Sequence, residues 1–145
     1  MSPHDPPRPI VVGIDGTAGS RAALRFALEE GLARGLPVTV VTAWMPEFPT
    51  SVTTSEAAYV DGSTKAQRLQ DAEIAAALGE LEESPVLSRV IANDVSGPTL
   101  TDAARGASLL VVGSGRKGVL SRAFLGSVSE FCVRHSPVPV VVVPG

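Results

Sequence analysis

The chain has 145 residues, of which 44% are hydrophobic and 19% are charged, and this composition indicates one globular domain rather than a disordered chain. Its formal net charge of −3 argues against a general nucleic-acid binder, because neutralising many phosphates needs an excess of lysine and arginine. The single cysteine, Cys132, excludes an internal disulfide framework and a cysteine-rich zinc site, and it favours a reducing cytoplasm.

The N-terminal segment, residues 1–8, is polar and rich in proline, and it lacks the apolar stretch of a secretory signal. We expect it to be a short loose leader, followed by one domain over residues 9–145. No apolar run in the sequence approaches the roughly 18 residues of a membrane span. The sequence therefore predicts a cytoplasmic protein that makes no contact with a membrane.

Five short apolar runs, rich in β-branched residues, predict five strands. They lie at residues 10–12, 37–43, 86–92, 108–112 and 138–143. Most of these runs lack the polar alternation of a half-exposed strand, which is typical of strands buried on both faces of a parallel sheet.

Helical patterns separate the strands. Helices are predicted over residues 18–34, where Gly35 ends the helix, over about 62–83, in a short segment that starts near Pro98, and over 127–135. Residues 45–64 show no clear periodicity and are expected to form a long loop. The alternation of strands and helices predicts an open parallel sheet with helices on both faces.

The ends of the first and fourth strands are the candidate site, because ligands of open α/β sheets bind beyond the carboxyl ends of the strands. The fourth strand leads into a glycine-rich segment, residues 113–127. Its first glycines formally match G-x-G-x-x-G, but that dinucleotide motif belongs after the first strand and needs an acid about 20 residues later, which is missing here. Dinucleotide binding is therefore disfavoured.

A glycine loop that leads into a helix can still hold phosphate with its backbone N–H groups. The charge of the region agrees, because residues 105–134 contain five basic residues and one acid. The alternative interpretation is a flexible glycine loop beside a solvated basic face.

From Pro9 to Pro144 the sequence resembles the universal stress protein family. The resemblance rests on Val11–Ser20, which reads VVGIDGTAGS, and on the last third of the chain from Leu110 to Val143. Members of the family that bind ATP carry G-x₂-G-x₉-G-[ST] after the fourth strand. Gly113 and the pair Gly126-Ser127 match this motif, whereas its second glycine falls on Arg116, with Gly115 one position early.

The resemblance implies a three-layer α/β sandwich with a five-stranded parallel sheet of order 3-2-1-4-5. It also implies ATP as the cofactor, with Mg²⁺ supplied by the nucleotide complex. Asp15 would contact the adenosine portion and the backbone of Ala43 would contact adenine, while the glycine segment would hold the phosphates. The candidate binding residues are Gly13, Asp15, Ala43, Gly113, Ser114, Gly115, Arg116, Lys117, Gly126, Ser127 and Val128.

Several of these residues have a second interpretation. A side chain at Arg116 can crowd the phosphates, or Gly115 can take up the bend while Arg116 binds phosphate. Asp15 can be the N-cap of the following helix. Ser127-Val-Ser-Glu130 has the form of a capping box. Farther along, Cys132 is interpreted as a core residue and His135 as a helix-end residue.

The function that follows is a nucleotide-dependent binding module in a stress or dormancy response, whose protein partner the sequence does not name. The resemblance implies a homodimer that pairs through the C-terminal strand, residues 138–143, which is an apolar edge strand in this topology. Two alternatives stay open. One is a dimeric scaffold that binds no nucleotide, and the other is a slow ATP hydrolase, for which the sequence offers no assignable general base.

Overall fold

The computed structural model describes residues 5–46, 56–115 and 125–145, in which strands and helices alternate. The strands are β1 (Ile10–Gly13), β2 (Val38–Trp44), β3 (Leu87–Asn93), β4 (Leu109–Gly113) and β5 (Val140–Val143). The helices are α1 (Ala18–Arg34), α2 (Glu56–Leu78), α3 (Ser96–Ala103) and α4 (Ser127–His135). None of the helices in these ranges combines the length and the apolarity that crossing a membrane requires.

The five strands form one parallel sheet in the order β3-β2-β1-β4-β5. Helices α1 and α2 pack on one face of the sheet, and α3 and α4 pack on the other. The predicted fold class, a three-layer α/β sandwich with strand order 3-2-1-4-5, is confirmed. The chain runs from β1 outward to β3 on one side and then from β4 to β5 on the other, so the direction of strand order reverses between β1 and β4.

The core is built from strand residues that face opposite sides of the sheet in turn. In β1, Ile10 and Val12 pack against the layer of α1 and α2, whereas Val11 packs against the layer of α3 and α4. On α1, Leu24 and Leu28 are fully buried against the first side. Because both faces of the sheet are covered, the whole of β1 is buried, which explains its uninterrupted apolar sequence.

Helix α1 has well-defined ends. Thr17 is its N-cap, and the Thr17 hydroxyl oxygen accepts a hydrogen bond from the backbone N–H of Ser20 at 3.2 Å. At the other end Gly35 adopts a left-handed conformation with φ of 65° and donates its N–H to the carbonyl oxygen of Gly31. The prediction that Gly35 ends the helix is confirmed.

Helix α2 differs from its prediction at both ends. The sequence placed a loop over residues 45–64 and a helix over 62–83, whereas the helix runs from Glu56 to Leu78. The early turns are missed because alanine, frequent here, is a strong helix former that adds little to an apolar period. The helix ends where Gly79 follows and where the N–H of Glu80 donates to the carbonyl oxygen of Ala77 in a tighter turn.

Strand β5 begins at Val140 rather than at the predicted Val138. Proline has no N–H to contribute to a strand ladder, so regular pairing starts after Pro139. The carbonyl oxygen of Pro139 still accepts a hydrogen bond from the N–H of Leu110 at 2.9 Å. The result is a four-residue edge strand with half-buried side chains.

Candidate functional site

A cleft of about 180 Å³ opens at the carboxyl edge of the sheet, beside the ends of β1 and β4. It lies where the direction of strand order reverses, which is the usual ligand position in open α/β sheets. Most of the predicted binding residues line this one cleft, namely Gly13, Asp15, Ala43, Gly113, Gly115, Gly126, Ser127 and Val128. The fold therefore brings together residues that are up to 115 positions apart in the sequence, from 13 to 128.

The remaining predicted residues are placed differently. Ser114 is not part of the cleft wall, and Arg116 and Lys117 lie outside the described residues. The wall also contains Thr17 and Ser20, which were not among the predicted binding residues. The sequence contains a feature that could have predicted both, because these two hydroxyl residues follow Asp15 within the turn that starts α1.

Asp15 belongs to a small hydrogen-bonded turn at the mouth of the cleft. Its Oδ1 atom accepts from the backbone N–H of Thr17 at 3.0 Å and from the Thr17 hydroxyl at 2.7 Å. Its own N–H donates to the Ser20 hydroxyl oxygen at 3.1 Å. The N-cap interpretation of Asp15 is wrong, since Thr17 holds that position. Among the described residues Oδ2 has no partner, so an exposed carboxylate oxygen can accept a hydrogen bond from a ligand.

Gly113 ends β4 directly against the start of α1. A Cβ atom at Gly113 would lie 2.6 Å from the carbonyl oxygen of Gly19 and 2.8 Å from the backbone nitrogen of Ser20. These contacts are with backbone atoms, which cannot move aside as a flexible side chain does. Packing between a strand and a helix thus requires this glycine, whether or not a ligand binds.

The two ends of the glycine-rich segment meet beside the cleft. The N–H of Gly126 donates to the carbonyl oxygen of Ser114 at 2.7 Å, and a Cβ atom at Gly126 would lie 2.9 Å from that same oxygen. Between them, Gly115 has φ of 80°, a left-handed conformation that glycine adopts without strain. The segment thus leaves β4 and returns to α4 at one point on the cleft wall.

Helix α4 starts at the cleft without a side-chain cap. Gly126 is the N-cap, so Ser127 is the first helical residue and Glu130 is the fourth, one position too late for a capping box. The predicted capping box is therefore wrong. The buried Ser129 hydroxyl bonds instead to the carbonyl oxygens of Gly126 and Ser114, at 3.1 and 3.2 Å. Within the described parts of the chain, the N–H groups of Ser127, Val128 and Ser129 have no acceptor.

The opposite end of the cleft is apolar. Val41 and Leu100 form its floor, and Ala43 lies at its edge where β2 ends. Gly13 makes room for this floor, because a Cβ atom there would lie 2.7 Å from a methyl carbon of Leu100. Val95, which follows β3, is exposed and lies outside the cleft wall.

The two other side chains considered in the sequence, Cys132 and His135, have structural roles. Cys132 is fully buried between the sheet and α3, and desolvation raises the pKa of its thiol to about 11. A thiol with that pKa stays protonated near neutral pH and is a poor nucleophile. The ring of His135 packs on the ring of Phe131 at the end of α4, with centroids 4.3 Å apart. The prediction that Cys132 is a core residue is confirmed.

Comparison with known proteins places the chain in a family. The model of the universal stress protein family matches residues 7–144. A universal stress protein of Mycolicibacterium smegmatis is 34% identical in an alignment of 143 positions that covers 94% of this chain and 48% of the relative. The chain thus spans about half the length of the curated relatives it matches.

Solved structures agree with the fold. A universal stress protein in complex with cAMP has a TM-score of 0.68 at 22% identity, over 94% of this chain and 96% of that chain. The universal stress protein of Archaeoglobus fulgidus in complex with dAMP has a TM-score of 0.56 at 22% identity, over 94% and 97%. With its fold, its cleft and a family match over almost its whole length, the chain belongs to the universal stress protein family.

Proposed function

We propose that the chain binds ATP or a related adenine nucleotide in the cleft, and that it acts as a nucleotide-dependent binding module in a stress or dormancy response. The observation that carries this proposal is the start of α4, which faces the cleft without a side-chain cap. The first N–H groups of a helix carry partial positive charge and need acceptors, so they favour phosphate.

The phosphate end of the ligand would lie between Gly115, Gly126 and Ser127. The two glycines leave the backbone open to close approach, and a Cβ atom at Gly126 would fill part of this cradle. Ser127 is exposed at the cleft and adds a hydroxyl group. This donor set fits phosphate oxygens, and Mg²⁺ would reach the site bound to the phosphates of the nucleotide.

The adenosine end would lie between Asp15 and Ala43. The Oδ2 atom of Asp15 can accept from a ribose hydroxyl or from the adenine amine, and the backbone at Ala43 can bond to the edge of the base. The apolar floor formed by Val41 and Leu100 suits the face of a base. The family members solved with cAMP and dAMP support adenine nucleotides as the ligand class.

Replacing Ser127 with glutamate tests the phosphate end without harming the fold. A carboxylate in the first turn of α4 favours the helix, typically by about 0.3–1 kcal/mol, but it repels phosphate at the same place. We expect Ser127→Glu to keep or raise the melting temperature and to lower ATP affinity at least about tenfold, roughly 1.4 kcal/mol, by isothermal titration calorimetry.

Ser88→Glu is the matched control, because Ser88 is exposed on the edge strand β3, away from the cleft. It adds the same charge and should leave ATP affinity unchanged. Mass spectrometry of the supernatant from denatured protein would show independently whether a nucleotide copurifies. Unchanged ATP affinity in Ser127→Glu would contradict the proposed phosphate position.

A second function, a dimeric scaffold that binds no nucleotide, is favoured by a different observation. Gly113 and Gly126 both make close backbone contacts inside the protein that require glycine. The glycine motif can therefore persist for packing alone. If the wild-type chain neither copurifies with a nucleotide nor binds ATP, cAMP or dAMP in titrations, this second function replaces the first.

A further inference from the structure

A second cavity, of about 380 Å³, adjoins the cleft and shares Asp15 and Ala43 with it. We call it the α2 chamber. Besides Asp15 and Ala43, the residues that line it are Thr42, Trp44, Met45 and Pro46 at and just after the end of β2, and Asp61, Gly62, Lys65, Ala66 and Leu69 of α2. The α2 chamber lies on the sheet face that α2 covers, whereas the cleft is lined from the other face by Ser96 and Leu100 of α3.

One wall of the α2 chamber is an indole ring packed against a helix. Gly62 of α2 faces Trp44, and a Cβ atom at Gly62 would lie 2.6 Å from Cε3 of the indole. Only a glycine lets the ring come this close to the helix backbone. Glycine inside a helix lowers the stability of that helix. At Gly62 this loss is accepted because the absence of a Cβ atom gives the indole ring room beside the helix.

The polar groups of the α2 chamber are largely engaged with each other or with the core. The Thr42 hydroxyl oxygen accepts from Nε2 of the buried Gln70 at 3.1 Å. The Nζ atom of Lys65 lies 3.2 Å from Oδ2 of Asp61. The apolar side chains that line the chamber include Trp44, Ala66 and Leu69, and they favour an apolar group.

The two residues that line both cavities, Asp15 and Ala43, lie where the adenosine end of the nucleotide is proposed to bind. A group attached to the base amine or to a ribose hydroxyl would pass Asp15 and Ala43 and enter the α2 chamber, while the phosphates stay at α4. Volume agrees with this arrangement. The cleft alone, at about 180 Å³, is smaller than the roughly 300–1,000 Å³ usual for a ligand site, and the adjoining chamber has a volume of about 380 Å³ of its own.

We infer that this protein accepts adenine nucleotides that carry an apolar group at the adenosine end, with that group bound in the α2 chamber. The inference rests on the proposed function, because the nucleotide must first occupy the cleft. An adenosine subsite that is closed by side chains would reject such nucleotides, whereas the α2 chamber leaves room for the added group.

Isothermal titration calorimetry with three nucleotides tests the inference. ATP is compared with N6-benzyl-ATP, substituted on the base amine, and with 2′(3′)-O-methylanthraniloyl-ATP, substituted on the ribose. We expect at least one substituted nucleotide to bind the wild-type chain as tightly as ATP, within about threefold, and the two arms identify the point of attachment. Binding of both at least about tenfold more weakly than ATP would overturn the inference.

A chamber-filling variant locates the bound group. Ala66 is buried in the chamber wall, and methionine there adds a flexible side chain that can adapt to the space. Ala66→Met should weaken the substituted nucleotide at least about tenfold while ATP affinity changes less than about twofold. Ala75→Met, the same change on the exposed face of α2, should alter neither.

The outcomes separate the two proposals. If ATP binds and both substituted nucleotides fail, only the α2 chamber inference is wrong. If no nucleotide binds, the proposed function fails and this inference fails with it. Equal loss of ATP and of the substituted nucleotide in Ala66→Met would also overturn the inference, because the chamber would then hold no separate group.

Discussion

Gly113 stands where a strand, a helix and the cleft meet, and its role can be assigned by geometry. It matches the first glycine of the ATP motif in the sequence, yet the atoms nearest to its missing Cβ belong to the backbone of Gly19 and Ser20. A substitution at Gly113 therefore displaces α1 before it affects any ligand. Loss of nucleotide binding in such a variant would not identify a phosphate contact.

Gly113→Ala is expected to destabilise the fold by roughly 1–3 kcal/mol, in the range of overpacking in a tight core. The cause is the clash of the new methyl group with the start of α1. Urea denaturation, followed by circular dichroism, measures the change. Gly79→Ala is the control, because a Cβ atom there would meet its neighbours at 3.4 Å or more. Equal stability of the two variants would refute the packing role of Gly113.

At the scale of elements, one buried amide adds hydrogen bonds to the apolar packing of α2 on the sheet. Gln70 is 2% exposed, and its Nε2 atom lies 3.0–3.2 Å from the carbonyl oxygens of Val40 and Val90 and from the Thr42 hydroxyl oxygen. These acceptors belong to β2 and β3. One side chain thus joins a helix to two strands and fixes the helix over the sheet edge.

Gln70→Met should lower the free energy of unfolding by roughly 1–3 kcal/mol, because it keeps the volume but leaves buried acceptors without this donor. Thermal and chemical denaturation measure the loss. Gln67→Met makes the same change at an exposed position of α2 and should stay close to wild type. A Gln70→Met variant as stable as Gln67→Met would show that the amide adds nothing to the docking of α2.

The sequence predicts best those elements whose signal is local. Apolar runs place all five strands and Gly35 ends α1, because burial on two faces and a left-handed cap leave direct marks on residue type. The cleft follows from topology, since the residues after β1 and β4 must meet. The contact of Gly62 with Trp44 and the hydrogen bonds of Gln70 depend on partners far along the chain, so no local sequence pattern predicts them.

The start of α4 shows the same limit on a finer scale. The letters of a capping box are present at Ser127 and Glu130, but the box requires a serine with non-helical dihedral angles. Gly126 takes the N-cap instead, with φ of −68° and ψ of 170°, because its N–H is bonded to Ser114. A tertiary contact therefore shifts the helix start by one residue and leaves its first N–H groups open to the cleft.

At the scale of the whole molecule, the sheet has two edges, β3 and β5. The carbonyl oxygens of Pro139, just before β5, and of Val143 accept from the N–H groups of Leu110 and Ser114, so the alternate residues Val140 and Val142 direct their backbone groups outward. An outward row of unpaired backbone groups can pair with a second strand. We propose that two copies of the chain associate through this edge.

Val142→Pro removes one outward N–H and leaves the bonds to β4 in place. We expect the wild-type chain to be a dimer and Val142→Pro a monomer by light scattering at micromolar concentration. Val142→Ala is the control, since it shortens the same side chain but keeps the N–H, and it should stay dimeric. A monomeric wild-type chain, or a dimeric Val142→Pro variant, would contradict pairing through β5.

The position of Trp44 determines what intrinsic fluorescence can report. The chain contains one tryptophan, and its ring lies between the end of β2 and Gly62 of α2. Its emission therefore reports on the docking of α2 and on nothing distant from it. Unfolding followed through this emission, compared with circular dichroism of all the helices, separates the release of α2 from the melting of the sheet. Because Trp44 also lines the α2 chamber, the same emission should change when a group binds there.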